Sequence, residues 1–279
     1  MLPGAAGFKI IGAGYPKTGI ASLEAALRMM GFTPYRMGHR DKMDTMGHMR
    51  DLQRWLDVLG NNTMDTFDAL VDDLIVRGYD TILDVPMDVT VYTLRLVERF
   101  PAAKVILTEH ADSQAWFRSF KLHMEDFKMS SARFSPRPEV TLDPVVHALR
   151  KVHEAVCQKK LGLPLAPSDA DAEAYVAAYE QHNADIKAGV PIGRLLEFEP
   201  QRGWDPLSEF LGMPAPLRPY PHMNTHRQDL AHLEWQKWYN LKFELFLLVI
   251  MGSFVVTVCF WMSGRLKASA KVWEEKANV

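Results

Sequence analysis

The stretch GAGYPKTGIASLEAALRMMG, residues 12–31, limits what this chain can fold into more than any other. An apolar run at residues 8–11 enters it and reads as a short buried strand. Residues 22–30 leave it at helical spacing, with the Ser22 hydroxyl near the helix start. A strand that turns tightly into a helix aims the helix's first N–H groups at the turn, and those groups together with the helix dipole favour an anion. Two familiar phosphate loops are excluded by spacing. After Gly12 and Gly14 the third position of a dinucleotide fingerprint is Lys17, not glycine. Gly14 and Gly19 have the spacing of a nucleoside-triphosphate loop, but Ile20 and Ala21 follow them, and the lysine lies inside the turn at Lys17. What remains is a turn of Pro16, Lys17, Thr18 and Gly19 that carries a mobile positive charge.

The rest of the chain repeats this alternation. Residues 79–84 (YDTILD), 103–108 (AKVILT) and 194–198 (RLLEF) read as further strands, the second of the continuous apolar kind found in parallel sheets. Residues 65–77, 89–100, 113–126, 145–160, 169–188 and 206–211 read as helices. Strands alternating with helices imply right-handed crossovers, so an α/β fold is expected: an open parallel sheet flanked by helices on both faces. Residues 128–138 (KMSSARFSPRP) and 161–168 are loop-like and could cover a site.

Charge and hydropathy bound the partners. A chain of 279 residues with 48% hydrophobic content buries one large core, and a net charge of −2 gives no reason to expect nucleic acid. Cys157 and Cys259 are far apart, with the second in an apolar tract, so neither a disulfide nor a metal site is expected. The amino-terminal sequence is too short and too broken by glycine for a signal peptide. Residues 245–262 (LFLLVIMGSFVVTVCFWM) carry no charge, and Arg265 and Lys267 follow. Eighteen residues at about 1.5 Å each nearly span a hydrocarbon core of about 30 Å, whereas a buried core helix of that length would show a polar face. A globular domain over residues 1–230, a juxtamembrane segment 231–244, one transmembrane helix over 245–264 in the lipid bilayer and a short basic tail 265–279 are therefore expected. With no amino-terminal signal, the globular part is expected on the cytosolic or stromal/matrix side of the membrane.

The loop, P-K-T-G-x-x-S-L after a strand, resembles the 5′-phosphosulfate loop of the sulfotransferases that use 3′-phosphoadenosine 5′-phosphosulfate (PAPS), in particular the branch called sulfotransferase family 4. Four further segments match in order: GYDTILDVP, FPAAKVILTEHADSQAWFRSF, YEQHNADI and RLLEFEPQRGWDPLSEFLGMPAPLRPYPHMN. The resemblance implies a three-layer sandwich and a set of roles. Lys17 would touch the 5′-phosphosulfate and neutralise charge on the departing phosphate. The amides of Thr18, Gly19 and Ile20, with the hydroxyls of Thr18 and Ser22, would hold phosphate oxygens, in a binding loop that runs from Pro16 through Ala21 to Ser22. Asp84, at the carboxyl end of its strand, is a candidate general base for an acceptor hydroxyl; its other reading is a cap before Pro86. His110 stands where the family presents an arginine to the 3′-phosphate, Ser119 is one residue out of register for the accompanying serine, and His222 stands where another arginine is frequent.

These departures leave three readings open. The first is a membrane-anchored sulfotransferase acting on a small or lipid-like hydroxyl acceptor, with PAPS as donor and its bisphosphate (PAP) as product. The second is a sulfotransferase fold that has lost turnover and serves as a subunit of a membrane complex, since a neutral histidine cannot replace a guanidinium against phosphate. The third is a module that only binds an adenine nucleotide. The methionine and histidine group at residues 37–49 reads as a mobile cover facing the acceptor rather than a metal site. His182 and Asn183 read as structural on a helix, and Trp116 and Trp204 as core.

Overall fold

The apolar runs at the centre of the chain pair as a parallel sheet whose side chains alternate between two buried faces. A computed structural model of the chain describes residues 7–37, 45–61, 63–84, 89–130, 144–223 and 252–253. Its elements in order are β1 (Ile10–Gly12), α1 (Ile20–Met29), β2 (Pro34–Arg36), α2 (Thr45–Asn61), α3 (Met64–Val76), β3 (Thr81–Leu83), α4 (Thr90–Arg99), β4 (Lys104–Thr108) and α5 (Ser113–Ser130). After these come α6 (Pro144–Glu154), a π-helical turn (Ala155–Leu161), a 3₁₀ turn (Asp169–Asp171), α7 (Ala172–Gly189), β5 (Leu195–Phe198), a second 3₁₀ turn (Pro200–Arg202) and α8 (Trp204–Leu211). The strand order is β2-β3-β1-β4-β5, with every pair parallel.

Ile11, Ile82, Val105 and Leu107 face one side of the sheet, where α2, α3, α4 and α6 close a cluster around Trp55, Phe67, Leu74, Tyr92 and Val152. Ile10, Leu83, Ile106 and Phe198 face the other side, covered by Leu23, Ala26 and Leu27 of α1 and Leu207 of α8. Each fully buried leucine or isoleucine contributes about 1.5–3 kcal/mol, so both layers hold the strands in register. The connection after β1 leads to one flank of the sheet and that after β4 to the other, which opens a crevice at the carboxyl ends of these neighbouring strands.

The expected α/β sheet is present, with differences that have local causes. β2 adds a fifth strand; it has three residues and begins with proline, which an edge strand tolerates at its first position. The salt bridge from buried Glu24 of α1 to Arg36 at 2.9 Å, and the Arg28 guanidinium donating to the Pro34 carbonyl at 3.3 Å, tie this edge to the helix. The mobile cover expected at residues 37–49 is corrected over its last part: residues 45–49 open α2, His48 is buried and Met49 packs on the core. Leu52, Trp55 and Leu59 follow at helical spacing, and burying them holds the segment down. Residues 38–44 lie outside the described residues. The loop 161–168 is likewise anchored: Leu163 and Leu165 pack on an aromatic cluster, and the Tyr175 hydroxyl donates to the Pro164 carbonyl.

The chain divides into two compact units, Met1–Gln228 and Asp229–Val279. Of the second, only residues 252–253 are described, both helical. No helix among the described residues is long and apolar enough to cross a membrane. The expected anchor at 245–264, its juxtamembrane segment and the basic tail otherwise lie outside the described residues.

Candidate functional site

The turn after β1 is shaped by glycines that no other residue could replace. A Cβ on Gly14 would stand 1.8 Å from Thr108 Oγ1, so the loop passes hard against the end of β4. Gly19, with φ 100°, is the N-cap of α1, and a Cβ there would meet Pro200 Cγ at 2.3 Å. Between them Lys17 has φ 68°, a left-handed conformation that side chains other than glycine rarely adopt. α1 therefore starts at Ile20, two residues before the expected start, and it has no side-chain cap; the Ser22 hydroxyl has another use.

Three carbonyls of this turn are taken by buried or half-buried donors. His182 Nε2 donates to Ala13 O at 2.7 Å, Thr18 Oγ1 to Tyr15 O at 2.6 Å, and Trp116 Nε1 to Pro16 O at 2.9 Å. The Thr18 hydroxyl also meets Thr108 Oγ1 at 2.6 Å, so its hydrogen is spent inside the protein rather than on a phosphate. The Thr18 amide closes the turn on Tyr15 O at 3.3 Å. With these carbonyls drawn back into the protein, next to a left-handed residue and a helix start, the amide dipoles of the turn favour a negative ligand.

His182 is the centre of this scaffold. Its Nδ1 meets Thr90 Oγ1 at the start of α4 at 2.9 Å, and its ring lies 4.7 Å from that of Tyr15. Because a carbonyl only accepts, the Ala13 bond puts the proton on Nε2, and Nδ1 accepts from the Thr90 hydroxyl. Burial pushes the His182 pKa below the usual histidine range, which keeps the ring neutral. Trp116 stacks on Tyr179 with centroids 4.2 Å apart, and Tyr15 packs edge-on to both. Tyr175, Tyr179, His182 and Ile186 line the buried face of α7, and His182, expected as a structural residue on a helix, reaches the loop from it.

Two distant segments meet the same region. The Met223 amide donates to Ser22 Oγ at 2.9 Å, which brings the loop that carries His222 to the first turn of α1, with the His222 ring 5.7 Å from Tyr220. At the end of β4 the His110 amide donates to the Tyr179 hydroxyl at 3.0 Å, and His110 Nδ1 accepts the Asp112 amide at 3.3 Å. Neighbouring Glu109 is paired with Lys187 at 2.8 Å. The Asp112 carboxylate accepts the Ala115 and Gln114 amides at the start of α5 and is held below the usual aspartate range. Ser119 is half-buried on α5, one turn after Trp116.

Asp84 leaves the end of β3 with φ 66°; it and Lys17 are the two non-glycine residues with left-handed φ among the described residues. The turn before Pro86, and with it the capping reading, lies outside the described residues. His153 of α6, which the sequence did not single out, lies within the electrostatic reach of Asp84.

The model of the sulfotransferase domain matches residues 9–228, which is most of the chain and the whole of this site. A relative from Aspergillus versicolor described as "Ava biosynthesis cluster protein M" is 26% identical over 249 residues, covering 84% of this chain and 88% of the relative. With the loop, the sheet order and the carboxyl-end crevice all inside the matched span, the chain belongs to the sulfotransferase-domain family.

Proposed function

We propose that the protein transfers a sulfuryl group from PAPS to an acceptor hydroxyl, with the 5′-phosphosulfate held by the turn at residues 16–22. The observation that carries this reading is the withdrawal of the Ala13, Tyr15 and Pro16 carbonyls by His182, Thr18 and Trp116, which fits the loop to an anion. Lys17 supplies the charge, the amides of Gly19 and Ile20 at the start of α1 supply donors, and Ser22 stands one turn in. His110, Ser119 and His222 come from the two segments that would meet the nucleotide end. The relative's place in a biosynthesis cluster favours a small acceptor, and the tract at 245–262 favours attachment to a membrane, with the globular unit on the cytosolic or stromal/matrix side.

Adenosine 3′,5′-bisphosphate tests the site directly. At a hundred times its dissociation constant it should add about 2.7 kcal/mol of stability, read as a thermal shift, and Lys17→Ala should abolish that shift. Absence of any shift at millimolar ligand would remove the transferase reading and favour a fold kept as a subunit of a membrane complex.

A further inference from the structure

Ser22 is buried in the first turn of α1, where the opening amides of the helix lack intrahelical partners and point at the donor loop. Its Oγ accepts the Met223 amide at 2.9 Å, from 201 residues along the chain. A hydroxyl has one hydrogen to donate besides its acceptor lone pairs. Since an amide N–H only donates, the Ser22 hydrogen stays unspent among the described residues. The side chain is therefore engaged on one side by the segment that ends at Met223 and is open as a donor on the other.

That segment, residues 218–223, is seated at two further places. Trp204 Nε1 of α8 donates to the Arg218 carbonyl at 2.7 Å. The Tyr220 ring packs edge-on against Phe198 at the end of β5, with centroids 5.9 Å apart, and against Trp204 at 5.1 Å. His222 and Met223 themselves are exposed. The Tyr220 seat is imperfect: the residue is 6% exposed, and its hydroxyl is buried with no hydrogen-bond partner. An unsatisfied buried hydroxyl offsets part of what burying the ring contributes, because the same group would reach water if the segment lifted. A single added hydrogen bond therefore weighs on whether the segment stays seated.

We propose that Ser22 is a positioning residue that couples the donor loop to residues 218–223. An anion in the loop takes the Ser22 hydrogen, the hydroxyl oxygen becomes a better acceptor, and the Met223 bond tightens, because hydrogen bonds in a chain polarise one another. Coupling of this kind is reciprocal, so the seated segment raises the affinity of the loop for its anion. The segment carries His222, and its seating fixes where that side chain stands when the donor is bound. The inference rests on the anion-binding loop of the proposed function.

Residue-resolved amide hydrogen exchange in the full-length chain tests this with inorganic phosphate as the probe, because phosphate fills the loop without bringing a nucleoside to residues 218–223. In the wild type we expect phosphate to slow exchange at Gly19 and Ile20 and also at Met223. In Ser22→Ala the Met223 amide should exchange at least about fivefold faster than in wild type, and phosphate should slow Gly19 but no longer Met223. Tyr220→Phe, which removes the unsatisfied hydroxyl and keeps the ring, should slow Met223 exchange before any phosphate is added. Trp204→Phe, which frees the Arg218 carbonyl, should weaken bisphosphate binding at least about twofold in the wild-type background and not in Ser22→Ala. Met223 exchange that ignores phosphate in the wild type, or still responds to it in Ser22→Ala, would overturn the coupling while leaving the donor loop standing, as would additive losses from the Trp204 and Ser22 substitutions. Phosphate that slows neither Gly19 nor Ile20 would overturn the donor loop and the coupling with it.

Discussion

Single residues carry the phosphate loop. Gly14 and Gly19 are required by close approach, and Lys17 is held left-handed by its surroundings. His182 gives the loop a pH dependence whose sign can be worked out. Burial depresses its pKa in the folded state, with the Ala13 bond and Asp185 opposing, while in the unfolded chain it returns to about 6.5. As pH falls below about 6.5 the unfolded state takes up the proton first. Stability from this group is therefore complete above the unfolded value and is lost as pH falls toward the folded one. Its largest slope is about 1.4 kcal/mol per pH unit. Denaturant melts between about pH 7.5 and about pH 5.5 should lose stability in the wild type and lose less in His182→Gln, which can donate to a carbonyl but does not titrate in this range. Identical losses in the two proteins would exclude His182 as the source. The sequence showed a histidine in YEQHNA; it could not show that its partner is the carbonyl of a residue 169 positions earlier.

At the scale of elements, α5 and α7 act as a brace behind the loop. Trp116 of α5 stacks on Tyr179 of α7 and donates to Pro16 O, so one side chain joins both helices to the turn. Trp116→Phe should keep the stack and lose the hydrogen bond, at a cost of about 1 kcal/mol in stability. We expect bisphosphate affinity to fall as well, because the Pro16 carbonyl is then no longer held back; isothermal titration calorimetry reads this. A variant that loses stability but binds as wild type would make the tryptophan a core residue only. β1 and β4 were legible because an unbroken apolar run has few alternatives to a central parallel strand. β2 was not, since Pro-Tyr-Arg has neither a run nor an alternation and is a strand through its neighbour β3 and the Glu24–Arg36 ion pair. α2 was missed as a whole, because methionines and histidines mask the periodicity of its first turn and only Leu52, Trp55 and Leu59 further on carry it.

For the whole molecule, the sheet and both packing layers lie within Met1–Gln228. A chain ended after Gln228 should therefore fold cooperatively, with one thermal transition and the bisphosphate response of the full-length protein. Flotation with phospholipid vesicles should retain the full-length chain and release the truncated one if residues 245–262 anchor the protein. A truncated chain that aggregates or melts without cooperativity would show that residues 1–228 do not fold on their own.

Local chemistry was enough for the parallel sheet and the position of the loop, and the family came from the resemblance of five segments rather than from that chemistry. Buried strands, glycine spacing and a helix start are properties of neighbouring residues, and their physics is short-ranged. The tertiary structure decided what those residues face. It turned the Thr18 hydroxyl inward to Thr108 and the Ser22 hydroxyl to the amide of Met223. Hydrogen-bond partners 90, 169 and 201 residues apart are chosen by how the layers close over the sheet, and no periodicity along the chain encodes that closure.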